Sequence, residues 1–153
     1  MIKEFDFYHG VVFSRLIHES KTPLYIACFT TSSNASYVLN DKVGLYIKHS
    51  TKRMSPWRFS MLKKHQAEIE KMKLSMDDVF ILLVCGEDGV VCLNYEELKI
   101  ILNDCLDEVE WISAARVPNK EYSVKGSDGT LGHKIGKNSF PRNILNKCKI
   151  EVR

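Results

Sequence analysis

Apolar and polar positions recur along this chain with two periods, and the switches between them mark out its elements. Residues 5–19 carry Tyr8, Val12 and Leu16 at helical spacing and predict a helix, although Gly10 and several β-branched and aromatic residues weaken its intrinsic preference. Lys21-Thr22-Pro23 ends it. Residues 24–30 and 35–39 read as strands separated by a Ser32-Ser33-Asn34 turn, and Asn40-Asp41-Lys42 as a tight turn into a strand over 43–48. After Pro56, Trp57-Arg58-Phe59-Ser60 alternates as a short strand does.

Residues 62–76 give the clearest amphipathic pattern, with Leu62, His65, Ile69, Met72 and Met76 on one helical face and Lys, Gln and Glu on the other. Residues 79–85 are apolar at every position, which predicts a strand buried on both faces. Glu87-Asp88-Gly89 turns this strand toward another over 90–93. Asn94 and Glu97 then have the spacing of a capping box, opening a helix whose inward stripe is Leu98, Ile101, Leu102 and Cys105. A strand over 110–116 follows. Gly126-Ser127-Asp128-Gly129, set between 122–125 and 130–135, is a hairpin signal. The predicted order is α-β-β-β-(β)-α-β-β-α-β and then a basic hairpin and tail. It describes an α/β (α+β) single domain over 1–153, with its core in about 5–117 and the hairpin and tail in 118–153.

At 153 residues, 44% of them hydrophobic and 27% charged, the chain is long enough to bury a core without disulfides. The apolar run at 79–85 falls far short of the ~20 residues of a membrane span, and the first residues are acidic where a signal peptide is basic. No membrane partner and a cytoplasmic location are expected. The five cysteines are odd in number and widely spread, so they read as reduced thiols. Cys85 and Cys92 are too far apart for a usual zinc pair, so neither a metal nor another cofactor is expected.

Charge changes the picture more than composition does. The net charge is +3, yet residues 42–73 carry +7, residues 77–110 carry −9 and residues 111–153 carry +6. If the two basic segments share a face they attract a polyanion; if each meets the acidic segment, the charges neutralise within the fold. Residues 48–64 hold six bases and no acid: Lys48, Lys52, Arg53, Arg58, Lys63 and Lys64. Cations of this kind contact phosphates, and Trp57 and Phe59 among them either stack on unpaired bases or fold into the core. The acidic segment 77–110, and its helix above all, offers a second surface, suited to a basic protein partner.

No catalytic motif is complete. A Gly-rich phosphate loop, a Gly-x-Ser-x-Gly elbow and a Cys-x-x-Cys pair are all missing from the chain. The five histidines lie far apart; His65 reads as part of its helix's apolar stripe, and His49 at a strand end is the better ligand contact.

Leu45-Tyr46-Ile47-Lys48-His49-Ser50, a basic loop, Trp57-Arg58-Phe59 and a helix carrying His65-Gln66-Ala67-Glu68 together resemble the core of the restriction-endonuclease-like (PD-(D/E)xK) superfamily, Holliday-junction-resolvase-type nucleases in particular. The likeness spans about 5–105. It implies an αβββαβ core with a mixed central sheet flanked by helices. It also implies a metal site in which a strand carboxylate and a Glu-x-Lys hold Mg²⁺ and activate water. Lys48 stands at the motif lysine, but Tyr46 stands at the glutamate, and Asn34 and Ser36 lie where an upstream carboxylate belongs. The expectation is a non-catalytic nucleic-acid-binding protein, on DNA ahead of RNA, with Lys48, Lys52, Arg53, Trp57, Arg58, Lys63 and Lys64 as contacts. Such a protein fits DNA processing, a mobile element or phage defence. The alternatives are a divergent Mg²⁺-dependent nuclease built on Asp41 and Lys48, and a protein-interaction module or inhibitor using segment 77–110.

Overall fold

The computed structural model describes residues 1–29, 33–103 and 109–153. Helix α1 (Glu4–Glu19) leads into a meander of β1 (Ile26–Cys28), β2 (Ser36–Leu39) and β3 (Val43–Ser50), each antiparallel to the one before. Asn40 and Asp41, both at positive φ (51° and 61°), close the β2–β3 turn, a conformation that Asn and Asp tolerate best among residues with a side chain. Strand β4 (Trp57–Met61) and helix α2 (Lys63–Ser75) then carry the chain to β5 (Asp78–Cys85), which pairs parallel with β3 along its full length. Strand β6 (Gly89–Asn94) folds back antiparallel on β5, so the central sheet is mixed, in the order β1-β2-β3-β5-β6.

Helix α3 (Tyr95–Ile101) starts at the expected capping box. Asn94 Oδ1 accepts from the Glu97 backbone N–H at 2.8 Å, and Glu97 Oε1 accepts from that of Asn94 at 3.0 Å. Beyond it, β7 (Glu110–Ala115), β8 (Ser123–Gly126) and β9 (Gly129–Thr130) do not extend the central sheet. They join β4 in a second, antiparallel sheet of order β4-β7-β8-β9. The Gly126–Gly129 hairpin forms as expected, but the tail then adds helix α4 (Ser139–Lys147), which the hydrophobic pattern did not reveal. The reading of Cys105 as inward falls outside the described residues.

Two cores explain this layering. Alternate residues of β3, β5 and β6 point to opposite sides, and the unbroken apolar run of β5 serves both. Val43, Leu45, Ile47, Phe80, Leu82 and Val84 pack under α1 and α4, against Val12, Leu16, Ile144 and Leu145. Tyr46, Ile81, Leu83, Val91 and Leu93 face the other way, onto α2, α3 and the inner side of the second sheet, where Trp57, Phe59, Ile112 and Val124 lie. The architecture is a mixed α and β domain with helices flanking a mixed sheet. Among the described residues, no helix is long and apolar enough to cross a membrane.

The side of α2 read as solvated is partly interior. Gln66 and Glu68 are buried, Gln66 donating from Nε2 to the Met61 carbonyl at 3.1 Å, while Leu62 is exposed. The thiols of Cys85, Cys92 and Cys148 are buried and Cys28 is exposed, all four unpaired.

Candidate nucleic-acid interface

Strand alternation decides which basic residues reach solvent. In β4, Trp57, Phe59 and Met61 point into the core while Arg58 and Ser60 point out. Trp57 is 2% exposed, and its indole N–H donates to the Lys52 carbonyl at 2.9 Å. It is therefore a core residue and no platform for bases, which corrects the stacking role considered for it. Its hydrogen bond instead ties down the basic loop 51–56. That loop is further held by the Lys52 ammonium on the Pro56 carbonyl (2.9 Å) and by the Arg116 backbone N–H on Ser55 Oγ (3.0 Å). Lys52 and Arg53 stand exposed on it, Lys63 and Lys64 are exposed at the start of α2, and no acid among the described residues pairs with Lys52, Arg53 or Arg58.

The second sheet joins the two basic segments. Its register sets Arg58 of β4 opposite Ser113 of β7, Ser113 opposite Lys125 of β8, and Lys125 opposite Thr130 of β9. All four point outward, forming a row across the sheet. In the flanking rows Ser60 faces Trp111 and Ala115 faces Ser123, whose hydroxyl accepts from Lys134 Nζ. The Arg58 guanidinium lies over the partly exposed Trp111 ring, 4.5 Å from its centroid. Trp111, Lys125 and Lys134 did not stand out in the sequence. Pairing between β4 and β7 spans some fifty residues of chain, and nothing local announces it.

The C-terminal segment also meets the acidic one. Asp88 takes a two-point contact from Arg116 (Nη2 to Oδ1 at 2.6 Å, Nε to Oδ2 at 2.8 Å) and a short hydrogen bond from the Tyr122 hydroxyl (2.5 Å). The Arg116 hydrogen bonds in particular hold the Asp88 carboxyl well below the usual carboxylate range, near 2. His133 pairs with Glu97 at 2.6 Å and Lys147 with Asp78 at 3.8 Å. The C-terminal bases therefore do both things the charge pattern allowed: some neutralise the acidic segment, and others join the exposed face.

Lys48 lies in a cleft of about 200 Å³ where β2 begins and β3 ends, beside α1 and α2. His9, Asn34, Tyr46, His49 and His65 line it with Lys48. Helix α2 brings in an acid that the motif comparison did not assign: buried Glu68 accepts from the Tyr46 hydroxyl (2.8 Å), the Ser33 backbone N–H (2.9 Å) and the Ser33 hydroxyl (3.0 Å). His65 Nδ1 accepts from the Leu62 backbone N–H at 3.2 Å and meets Lys48 Nζ at the same distance, which puts the ring proton on Nε2. Burial and, next, Lys48 lower the His65 pKa; burial and, next, Lys64 lower that of Lys48.

His9 contacts the Tyr37 hydroxyl at 2.7 Å, and its pKa falls to about 4 through burial and then repulsion from His49. His49 itself stacks on Tyr8 and pairs with Glu4 at 2.7 Å. Asp41, the acid considered as a partner for Lys48, sits in the turn at the far end of β3, roughly 20 Å of strand away. The two are not brought together. Lys48, Asn34 and three histidines line the cleft, groups that can hydrogen-bond a small polar or anionic ligand. A divalent cation wants several oxygen ligands, and no three His, Cys, Asp or Glu side chains among the described residues converge to hold a metal.

No family model, no curated protein and no solved structure matches this chain.

Proposed function

We propose that the protein is a non-catalytic nucleic-acid-binding domain on a nuclease-like scaffold, acting in DNA processing, a mobile element or phage defence. The observation that carries this reading is the strand order of the second sheet, which sets Arg58 from one basic segment and Lys125 from the other in one outward row. Lys52 and Arg53 stand on the anchored loop leading into the same sheet. A polyanion is the partner that such a surface suits, since each neutralised phosphate releases counterions. In support of the scaffold, α1, the antiparallel β1–β3 and the return through α2 to a parallel β5 follow the αβββαβ order that the sequence resemblance implies, with β4 as an insertion.

The test is equilibrium binding of a labelled oligonucleotide across a salt series. The expected result is a steep linear fall of log K with log salt, the slope becoming shallower by about one per cation removed when Lys52, Arg53 and Arg58 are changed to Ala. Binding that ignores salt, or a triple variant that binds as the parent does, overturns the reading.

One observation favours a second reading. Glu68 reaches the neighbourhood of Lys48 from α2, so a divergent Mg²⁺-dependent nuclease would use Glu68 in place of Asp41, with water and substrate oxygens as the cation's remaining ligands. Incubation with plasmid and Mg²⁺ or Mn²⁺ decides it: nicking that disappears in Lys48→Ala and in Glu68→Gln supports the nuclease, and no nicking removes it.

A further inference from the structure

From the outer face of the second sheet we infer that the nucleic acid it takes is single-stranded, with an unpaired base stacked on the Arg58–Trp111 pair. This inference rests on the binding reading and narrows its substrate class. The Arg58 guanidinium lies over the Trp111 indole, 4.5 Å from the ring centroid, so the cation and the aromatic ring form one platform, and Arg58 is the more exposed partner of the two. A guanidinium face takes a base much as an aromatic face does, and adds positive charge beside the phosphate.

The surroundings of that pair fit an unpaired strand. Lys125 lies two strands from Arg58, roughly 10 Å across the sheet, with small Ser113 between them, so the surface dips between two cations. Beside it runs a groove of about 440 Å³ lined by Ser55, Ala115, Lys120, Ser123 and Lys134. Arg116 and Glu121 also border the groove, Arg116 already paired with Asp88, which leaves two lysines against one acid. Ala115 and Ser123 belong both to the groove and to the outward face, so groove and platform are continuous. A duplex keeps its bases stacked on one another and offers this surface phosphates, sugars and groove edges but no open base face. A single strand offers base faces as well, and only the single strand uses the planar centre of the site.

The experiment compares a short labelled oligothymidylate, an oligouridylate and a mixed-sequence duplex of equal length, at one salt concentration, on the parent and two variants. Trp111→Leu keeps apolar bulk on the sheet but removes the flat face, whereas Trp111→Phe restores one; thermal melts of both confirm folding. The expected result is at least about tenfold tighter binding of the single strands than of the duplex. Single-strand affinity should fall about tenfold in Trp111→Leu and recover most of that in Trp111→Phe. Trp111 emission should be quenched on binding, while buried Trp57 contributes a constant background. Salt-dependent binding in which duplex equals or exceeds single strand, or in which Trp111→Leu binds single strands as the parent does, overturns this inference and leaves the binding reading standing. Absence of binding to all three probes at low salt overturns both. A preference between the two single strands shows whether the source is DNA or RNA, and either outcome supports the platform.

Discussion

The Tyr46 hydroxyl donates a 2.8 Å hydrogen bond to the buried carboxylate of Glu68, linking the centre of β3 to helix α2. A phenol thus stands at the strand position where the resemblance implies an acid, and the acid arrives from the neighbouring helix with the phenol holding it. Tyr46→Phe should leave the fold intact and lower unfolding free energy by about 1–2 kcal/mol, because Glu68 then loses one donor inside the protein. Urea denaturation measures the loss. An unchanged midpoint would mean that Glu68 turns to another donor at no cost.

Stability should also depend on His9. Its folded pKa, about 4, lies below the ordinary 6.5, so the folded state binds the His9 proton less readily than the unfolded chain does. The contribution is complete above pH 6.5 and is lost as pH falls from 6.5 toward 4, on the order of 3 kcal/mol in all. Thermal melts across this window should show a falling Tm, and His9→Gln should flatten the fall. A parent and variant with parallel profiles would count against a neutral, buried His9.

Arg116 and Asp88 connect the β5–β6 turn to the end of β7 through two hydrogen bonds, in a site where both side chains are largely shielded. Replacing Arg116 by Met removes the charge while keeping much of the bulk. It leaves the Tyr122 hydroxyl as the side-chain hydrogen-bond donor to Asp88, and should lower the midpoint of a denaturant titration at neutral pH. Combining it with Asp88→Asn should recover part of that loss, since the uncompensated charge is gone.

The second sheet touches α3 through backbone at Gly126. A Cβ there would stand 2.3 Å from the Ile101 carbonyl oxygen, so no side-chain rotation relieves the clash. Gly126→Ala should cost about 2–3 kcal/mol. Gly44→Ala meets the flexible end of Met72 at 2.6 Å and should cost less. Paired thermal melts rank the two.

Local physics explains how much of this was legible in the sequence. The doubly buried β5, the Asn94–Glu97 capping box, the Asn40-Asp41 turn and the Gly126–Gly129 hairpin rest on signals within a few residues of each other, and all four are present. Helix α4 was missed because Phe140-Pro141 interrupts it and the basic residues around it resemble a solvated tail. The helical pattern of α2 put Glu68 among the solvated residues. What buries that carboxylate is Ser33 and Tyr46, 35 and 22 residues away, and periodicity carries no information about such partners. The outward face was hidden for a related reason: Trp111 and Arg58 become neighbours only when β4 leaves the path between β3 and α2 to pair with β7.

The anchoring of loop 51–56 bears on affinity. Trp57 clasps the loop from within the core, Ser55 is gripped by the backbone of residue 116, and the Lys52 side chain bridges to Pro56. Long cationic side chains on a floppy loop surrender much of their freedom when a ligand arrives, and that loss offsets part of the attraction. Here folding has already fixed the backbone beneath Lys52 and Arg53, so in the proposed binding only their side chains are left to settle.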